Sequence, residues 1–229
     1  VVFSRDGYNI DEKVKLLQRK SLTCKELLLA LKKKGIDISE NVPYRFFQLY
    51  DHKIHIELSP DMRANSSYYT TRIEIIPEDQ RKLKSYYIKS EIENEAEKND
   101  ENELDIPKPK FNNENEIVDI VDENEKIKKG YKVVSEFLIE FCYVSYRYLG
   151  CPHGRGDPFI VKVIPGEKFS DTKERIRKCL KEPQLSRFNR SKFEIGPSNF
   201  AINNKMRVVN DDDILSEIAQ PDDRVTMVS

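Results

Sequence analysis

Along the chain, short apolar runs alternate with polar punctuation, and one order of runs occurs twice. Val14, Leu16, Leu17 and Leu22 begin the first occurrence as an apolar strand in residues 14–22. The spacing then predicts a helix over 23–34. Thr23 and Glu26 have the spacing of a capping box, and Leu27, Leu28 and Leu31 mark one apolar face. Lys32, Lys33 and Lys34 suit the negative end of the helix dipole, and Gly35 supplies a left-handed stop. Residues 44–49 and 54–58 read as strands about a polar turn at Asp51, His52 and Lys53, and residues 72–76 alternate as a last strand before Pro77.

The second half repeats this order. Residues 138–148 form a long aromatic and β-branched strand, with residues 159–164 as its partner across a loop over 150–157. A helix over 170–180 follows, with Asp171 and Glu174 repeating the cap pattern and Ile176, Cys179 and Leu180 on its apolar face. Short strands are expected at 193–195 and 200–202 around a turn at Gly196, Pro197 and Ser198. The run from Arg224 to Val228 closes the unit and parallels the run from Arg72 to Ile76. A hairpin, one helix, a short hairpin and a final strand share a core when the helix crosses one face of a mixed sheet and the last strand enters its centre. The expected class is therefore α+β, with two ubiquitin-like (β-grasp) domains in tandem.

Charge separates the two halves. The net charge is −1, but residues 91–125 hold 14 Asp and Glu against 3 Lys, leaving the rest of the chain at +10. That stretch has too few apolar side chains to offset the entropy of ordering its backbone, so a disordered acidic linker is expected. The expected organisation is a domain over 1–83, a linker over 84–130 and a domain over 131–229. A spacer is a more economical role for the linker than an acidic docking tail. At 38% hydrophobic and 34% charged residues, with no Trp, two modest cores suit the composition better than one large one. No apolar run approaches the roughly 18 residues of a membrane span. The start lacks a Met and does not read as a signal peptide, so a piece of a longer chain is expected. Four cysteines without paired spacing imply reduced thiols and a cytoplasmic or nuclear setting.

Three stretches carry a family resemblance: Tyr44 to Leu49 with Lys53 and Ile54; Arg72 to Gln80; and Pro158 and Phe159 through Gly166-Glu167-Lys168-Phe169 to Arg175 and Ile176. In their order they resemble the fourth and fifth C-terminal ubiquitin-like domains of the herpesvirus-associated ubiquitin-specific protease family. The long acidic linker suggests its fungal counterpart and casts doubt on a fixed angle between the domains. The resemblance implies a cysteine-dependent deubiquitinase as the parent, a thiol protease that removes ubiquitin from protein substrates. This region would be its regulator, contacting the parent's own catalytic domain and recruiting ubiquitinated substrates or adaptors. The resemblance also implies an activating C-terminal tail, which is not expected within residues 1–229, so activation by this region alone is not assumed.

Candidate chemistry within the chain is thin. Cys24 and Cys179 belong to helix faces, Cys142 to a strand, and Cys151 with His153 to a loop, where two residues of separation do not make a dyad. Cys142, Cys151 and His153, or His52 and His55, lack the paired spacing of zinc ligands. The run Asp211, Asp212, Asp213 lacks a calcium loop's spaced ligands and suits a cap for a short helix at 214–218. Arg155, Gly156 and Asp157 suit a hairpin turn. No catalytic residue, cofactor or metal is expected. The candidate partner-binding residues are the basic side chains Lys32, Lys33, Lys34, Arg175, Arg177, Lys178 and Lys181, facing acidic partners or the acidic linker. Nucleic acid is not an expected partner, since neither interleaved aromatics nor a recognised motif accompanies these charges. The alternative is a scaffold built on other β-grasp modules of Ras-association or PB1 type, for which the segment 210–214 is the weak signal.

Overall fold

The computed structural model describes residues 1–16, 22–39, 41–64, 69–89, 131–147, 151–197, 206–220 and 222–228. They fall into two compact units. One contains Val1–Leu83 together with Phe137–Ser229, and the other is Lys84–Glu136.

The first lobe of the larger unit runs β1 (Val2–Ser4), β2 (Glu12–Lys13), α1 (Cys24–Lys33), β3 (Tyr44–Tyr50), β4 (Lys53–Leu58) and β5 (Thr70–Ile75), followed by a 3-10 turn at Glu78–Gln80. Its sheet order is β2-β1-β5-β3-β4, with β1 parallel to the inserted β5 and the other pairs antiparallel. The expected capping box forms at α1. Glu26 N–H donates to Thr23 Oγ1 at 3.3 Å, and the Thr23 N–H donates to Glu26 Oε2 at 2.8 Å. Gly35 stops the helix at φ +88°. Cys24, Leu27 and Leu31 of α1 pack on Phe3, Phe46, Leu58 and Ile73 as the lobe's core.

The smaller unit holds β6 (Ser85–Lys89) antiparallel to β7 (Tyr131–Ser135). Glu136 ties its base, accepting from Lys84 N–H at 2.9 Å and from Tyr86 Oη at 2.8 Å. Residues 85–89 thus form a strand inside the range assigned to the linker, because Tyr86, Tyr87 and Ile88 are a run of strand-favouring residue types that the acidic stretch lacks. The disorder expected farther along falls on residues 90–130, outside the described residues.

The second lobe runs β8 (Phe137–Arg147), β9 (Cys151–Val163), α2 (Phe169–Cys179), α3 (Gln184–Arg190), β10 (Lys192–Pro197), β11 (Arg207–Val208), α4 (Leu215–Ile218) and β12 (Asp223–Val228). Its order, β9-β8-β12-β10-β11, is that of the first lobe strand for strand, with β12 parallel to β8. This is the α+β, β-grasp architecture read from the sequence, and it occurs twice. Phe141, Phe159, Phe169, Ile176, Phe188, Phe193 and Met227 fill the larger second core.

Several local readings are corrected. The first strand is Val2–Ser4, earlier than the expected 14–22, because Val2 and Phe3 lie beside the closing β5. Residues 17–21 of the expected strand and the whole expected strand 200–202 lie outside the described residues. Arg155, Gly156 and Asp157 belong to β9 rather than to a hairpin turn. The register shift opposite Phe141 and Tyr143 and the positive φ of Gly156, +70°, make this a bulge within a long strand. Gly196 and Pro197 end β10. Asp171 lies inside α2, whose N-cap is Lys168 without a side-chain cap. Asp211 and Asp213 instead cap α2 through their carbonyls, accepting from Ser170 and Phe169 N–H groups at 3.0 and 2.7 Å. Nor do these aspartates cap α4 through side chains, for its N-cap is Ile214.

Candidate functional site

A strand with one face on a helix and one in water should alternate buried and exposed residues. β3, β5, β8 and β12 do not: their central residues are buried on both faces, charged ones included. Arg72 and Glu74 are both 0% exposed. Such charges stay buried only when paired and hydrogen-bonded. The partners are supplied where the two lobes meet.

The first lobe caps the outer edge of β9. Asp51 Oδ2 accepts the Gly154 N–H at 3.2 Å, and His52 Nδ1 stands 2.6 Å from the Gly156 carbonyl. A carbonyl only accepts, so that nitrogen carries the proton. Arg72 Nη1 donates to the Pro158 carbonyl and Gln80 Nε2 to that of Ile160, the latter at 3.0 Å. Residues 154, 156, 158 and 160 alternate along the strand, so side chains occupy the edge where another strand would pair. Pro158 has no N–H to satisfy, which suits a one-sided cap.

Arg72 also donates to Glu74 Oε2 and the Gly7 carbonyl, each at 2.7 Å. Arg45 Nη2 completes the cluster, donating to Glu74 Oε1 at 2.8 Å and Gln80 Oε1 at 2.6 Å. The opposite direction is served by Arg224 and Glu140. Glu140 accepts the Ile54 N–H of β4 at 2.6 Å and Arg224 Nε at 2.8 Å, while Arg224 Nη2 donates to the Ile54 carbonyl at 3.2 Å. Burial raises the pKa of Glu140, opposed by the Arg224 charge and the Ile54 amide. Each lobe's final strand therefore sends an arginine to a backbone carbonyl of the other lobe.

A loop and an apolar cluster finish the seam. Tyr8, after β1, joins the second core with its ring 5.8 Å from Phe159, and Val2, Phe47 and Leu49 meet Ile160. Asn9 behaves as a peptide group, its Nδ2 donating to the Cys179 carbonyl at 2.8 Å and its Oδ1 accepting the Lys181 N–H at 2.9 Å. Asp6 braces this loop. Burial pushes its pKa up, but hydrogen bonds from Asn9 and Tyr8 and the Lys181 charge outweigh that and hold it below 3.8. Turn chemistry makes the approach possible. Asp51 and His52 take left-handed φ values of +46° and +59°, as a tight hairpin turn requires, and a Cβ on Gly154 would lie 1.8 Å from the Asp51 carbonyl oxygen. The doubt about a fixed angle between the lobes is thus corrected: the connecting segment is long, but direct contacts set the arrangement.

The seven basic candidates do not form one kind of surface. Lys32, Lys33 and Lys34 are exposed on the last turn and cap of α1, and Lys178 is exposed on α2. Arg175 is held by Glu167 at 2.7 and 3.2 Å and by the Lys162 carbonyl at 2.7 Å. Arg177 pairs with Glu174 and donates to Asn189 at 2.9 Å. Lys181, beyond the end of α2, pairs with Asp6 at 3.4 Å and Asp11 at 3.7 Å within the seam. Sequence reading missed Arg45, Arg72, Glu74, Glu140 and Arg224, because polar residues alternating along a strand look like a solvated face. The signal available was an arginine opening each of the two parallel closing runs.

Among the described side chains, the thiols of Cys24, Cys142 and Cys179 lack the surroundings of a nucleophile. Burial pushes Cys24 up to about 11 and Cys142, beside Glu140, up to about 12, and it also raises Cys179. Cys151 opens β9, and its side chain lies outside the described residues. Among the described residues, no group of three or more His, Cys, Asp and Glu is arranged to hold a metal ion, and no helix is long and apolar enough to cross a membrane. His52 is committed to Gly156 and His55 stacks on Tyr69 at 5.1 Å.

A comparison with protein families matches residues 1–228 to the family described as Ubiquitin-specific protease C-terminal. No individual curated protein matches the chain. With nearly the whole chain covered, it belongs to that family, as a C-terminal region of a ubiquitin-specific protease.

Proposed function

We propose that the two lobes of this family member regulate a cysteine-dependent deubiquitinase by contacting its catalytic domain and by recruiting ubiquitinated substrates or adaptors. The observation that carries the proposal is the seam. Buried ion pairs and edge caps make the lobes one body, so force or position gained by either lobe is passed to the other. Burial that suppresses three thiols suits action by contact rather than by chemistry. A covalently joined regulator works at an effective concentration of about millimolar, so a weak docking surface suffices. Acidic partners would meet the exposed Lys33, Lys34 and Lys178 first, because Arg175, Arg177 and Lys181 are engaged in ion pairs. The setting that follows is cytoplasmic or nuclear.

The PB1-like alternative is weakened by its own signal, since Asp211 pairs with Lys173, Asp212 with Lys168 at 3.0 Å and Asp213 with Arg207 at 3.1 Å. Deleting residues 1–229 from the parent enzyme is expected to lower hydrolysis of a ubiquitin-fluorophore conjugate. Unchanged kinetics would refute the regulatory role.

A further inference from the structure

A helix packed on a sheet by one stripe leaves the opposite stripe to water, and that stripe should be polar. The duplicated fold supplies an internal standard for this. α1 buries Cys24, Leu27 and Leu31, and α2 buries Phe169, Thr172 and Ile176 at the same spacing. In that register Lys33 matches Lys178 and Leu29 matches Glu174. The helices part company at the last pair. Glu174 is an exposed acid paired with Arg177, whereas Leu29 is 60% exposed, the most of any large apolar side chain among the described residues.

Charge diverges at the same place. Glu26 is the sole carboxylate of α1, and it is occupied by the Thr23 N–H. Residues 27–36 hold three lysines and no acid. Lys33, one turn after Leu29, and Lys34 are exposed and form no ion pair among the described residues. Lys25, one turn before Leu29, meets Asp61 at 2.8 Å, with both side chains largely in water. Met62 is 49% exposed beside the first turn, where its carbonyl accepts the Cys24 N–H at 3.0 Å. The outer face of α1 is thus an exposed leucine with a lysine on either side at four-residue spacing.

We propose that this face, Leu29 with Lys25, Lys33 and Lys34, docks an acidic peptide segment of a partner protein that carries a large apolar side chain among its carboxylates. The leucine supplies apolar contact, and the lysines supply the charge that steers the segment to it. The fold argues against a membrane surface as the occupant. Leu27 and Leu31 are buried in the lobe's core and Leu28 packs against it, so a single leucine remains where a helix entering the lipid boundary needs an apolar stripe. The inference deepens the recruiting half of the proposed function and rests on that reading only for calling the partner a substrate or adaptor.

The test pans a displayed library of random peptides, about twelve residues long, against the 229-residue chain, with Leu29→Glu as counter-selection. That substitution copies the second lobe, and a glutamate four residues before Lys33 suits a helix, so its melting temperature should not fall. Three results together would support the proposal: enriched peptides that combine carboxylates with an apolar residue, about a tenfold loss of affinity in Leu29→Glu, and a weaker salt dependence when Lys33→Glu and Lys34→Glu are combined. Leu29→Ala should weaken binding at unchanged salt dependence, separating apolar contact from charge, and Lys178→Glu should leave binding intact. Absence of enrichment over the counter-selection, enriched peptides without carboxylates, or binding to phosphatidylserine vesicles that is lost in Leu29→Glu would overturn it. The panning uses no catalytic readout and the deletion assay no recruited peptide, so the two ideas fail separately.

Discussion

The two lobes share a strand order and differ in what they bring to their junction. The first lobe contributes side chains: Asp51, His52, Arg72 and Gln80 reach across to β9, and Tyr8 enters the other core. Mostly, the second contributes backbone, at Gly154, Gly156, Pro158, Ile160, Cys179 and Lys181, with Glu140 and Arg224 as its return contacts. Core size differs in the same direction. Among the described residues, the first lobe's own core holds eight buried residues and the second's eighteen, one of them Tyr8, so the smaller lobe leans on the larger. Duplicated folds can therefore diverge through the faces a lone domain would expose to water.

That asymmetry breaks most sharply at Arg72. Arg72→Ala strands Glu74 with only Arg45 and frees two buried carbonyls, for an expected loss of about 3–5 kcal/mol in chemical denaturation. Hydrogen exchange in the variant should rise more in β3 and β5 than in β8 and β12. An equal rise in both lobes would show that they stand on equal terms.

Tyr8→Ala attacks the same dependence from the apolar side. It removes a ring from the larger core, with an expected cost of about 3 kcal/mol by calorimetry. Tyr8→Phe should cost far less, about 0.5–1 kcal/mol, because its hydroxyl meets Gln80 only at 3.3 Å.

Acid sharpens the comparison through Asp6. Because its folded pKa lies below 3.8, its contribution is complete above that value and is lost as pH falls through the lowered folded one. Glu140, raised above 4.5, has the opposite sign: its effect on stability declines as pH rises from 4.5 through the folded value. The urea midpoint of Asp6→Asn should consequently fall less than that of the wild type on acidification below pH 4. Parallel curves would remove Asp6 from the seam's energetics.

The smallest effect belongs to a feature internal to one lobe. Thr23→Ala removes the capping box of α1 for about 1 kcal/mol and should leave the seam's exchange protection unchanged.

Local signals account for what was legible. Thr23 with Glu26, Gly35, the Asp51-His52 turn and the alternation of the closing runs act over a few residues, so composition and spacing sufficed to place α1, β3 to β5, β8 and β12. Their repeated order implied the β-grasp fold. The failures arose where a residue's partner is distant in sequence. Gly156 looks like turn chemistry until β9 is seen to bulge against β8, and Asp211 and Asp213 look like caps for the next helix until their carbonyls meet α2.

By itself, then, the sequence determined most of the elements, though not β1 or α3, and with them the twofold repetition and the family. Hydrophobic periodicity and capping are encoded within single turns and strands. Only the tertiary structure decided that the polar faces of the two sheets are interior. Arg72, Glu74, Glu140 and Arg224 carry the same charges on a wet face as in a seam. What separates the two cases is whether another lobe's carbonyls and amides are present to satisfy them once water has been excluded.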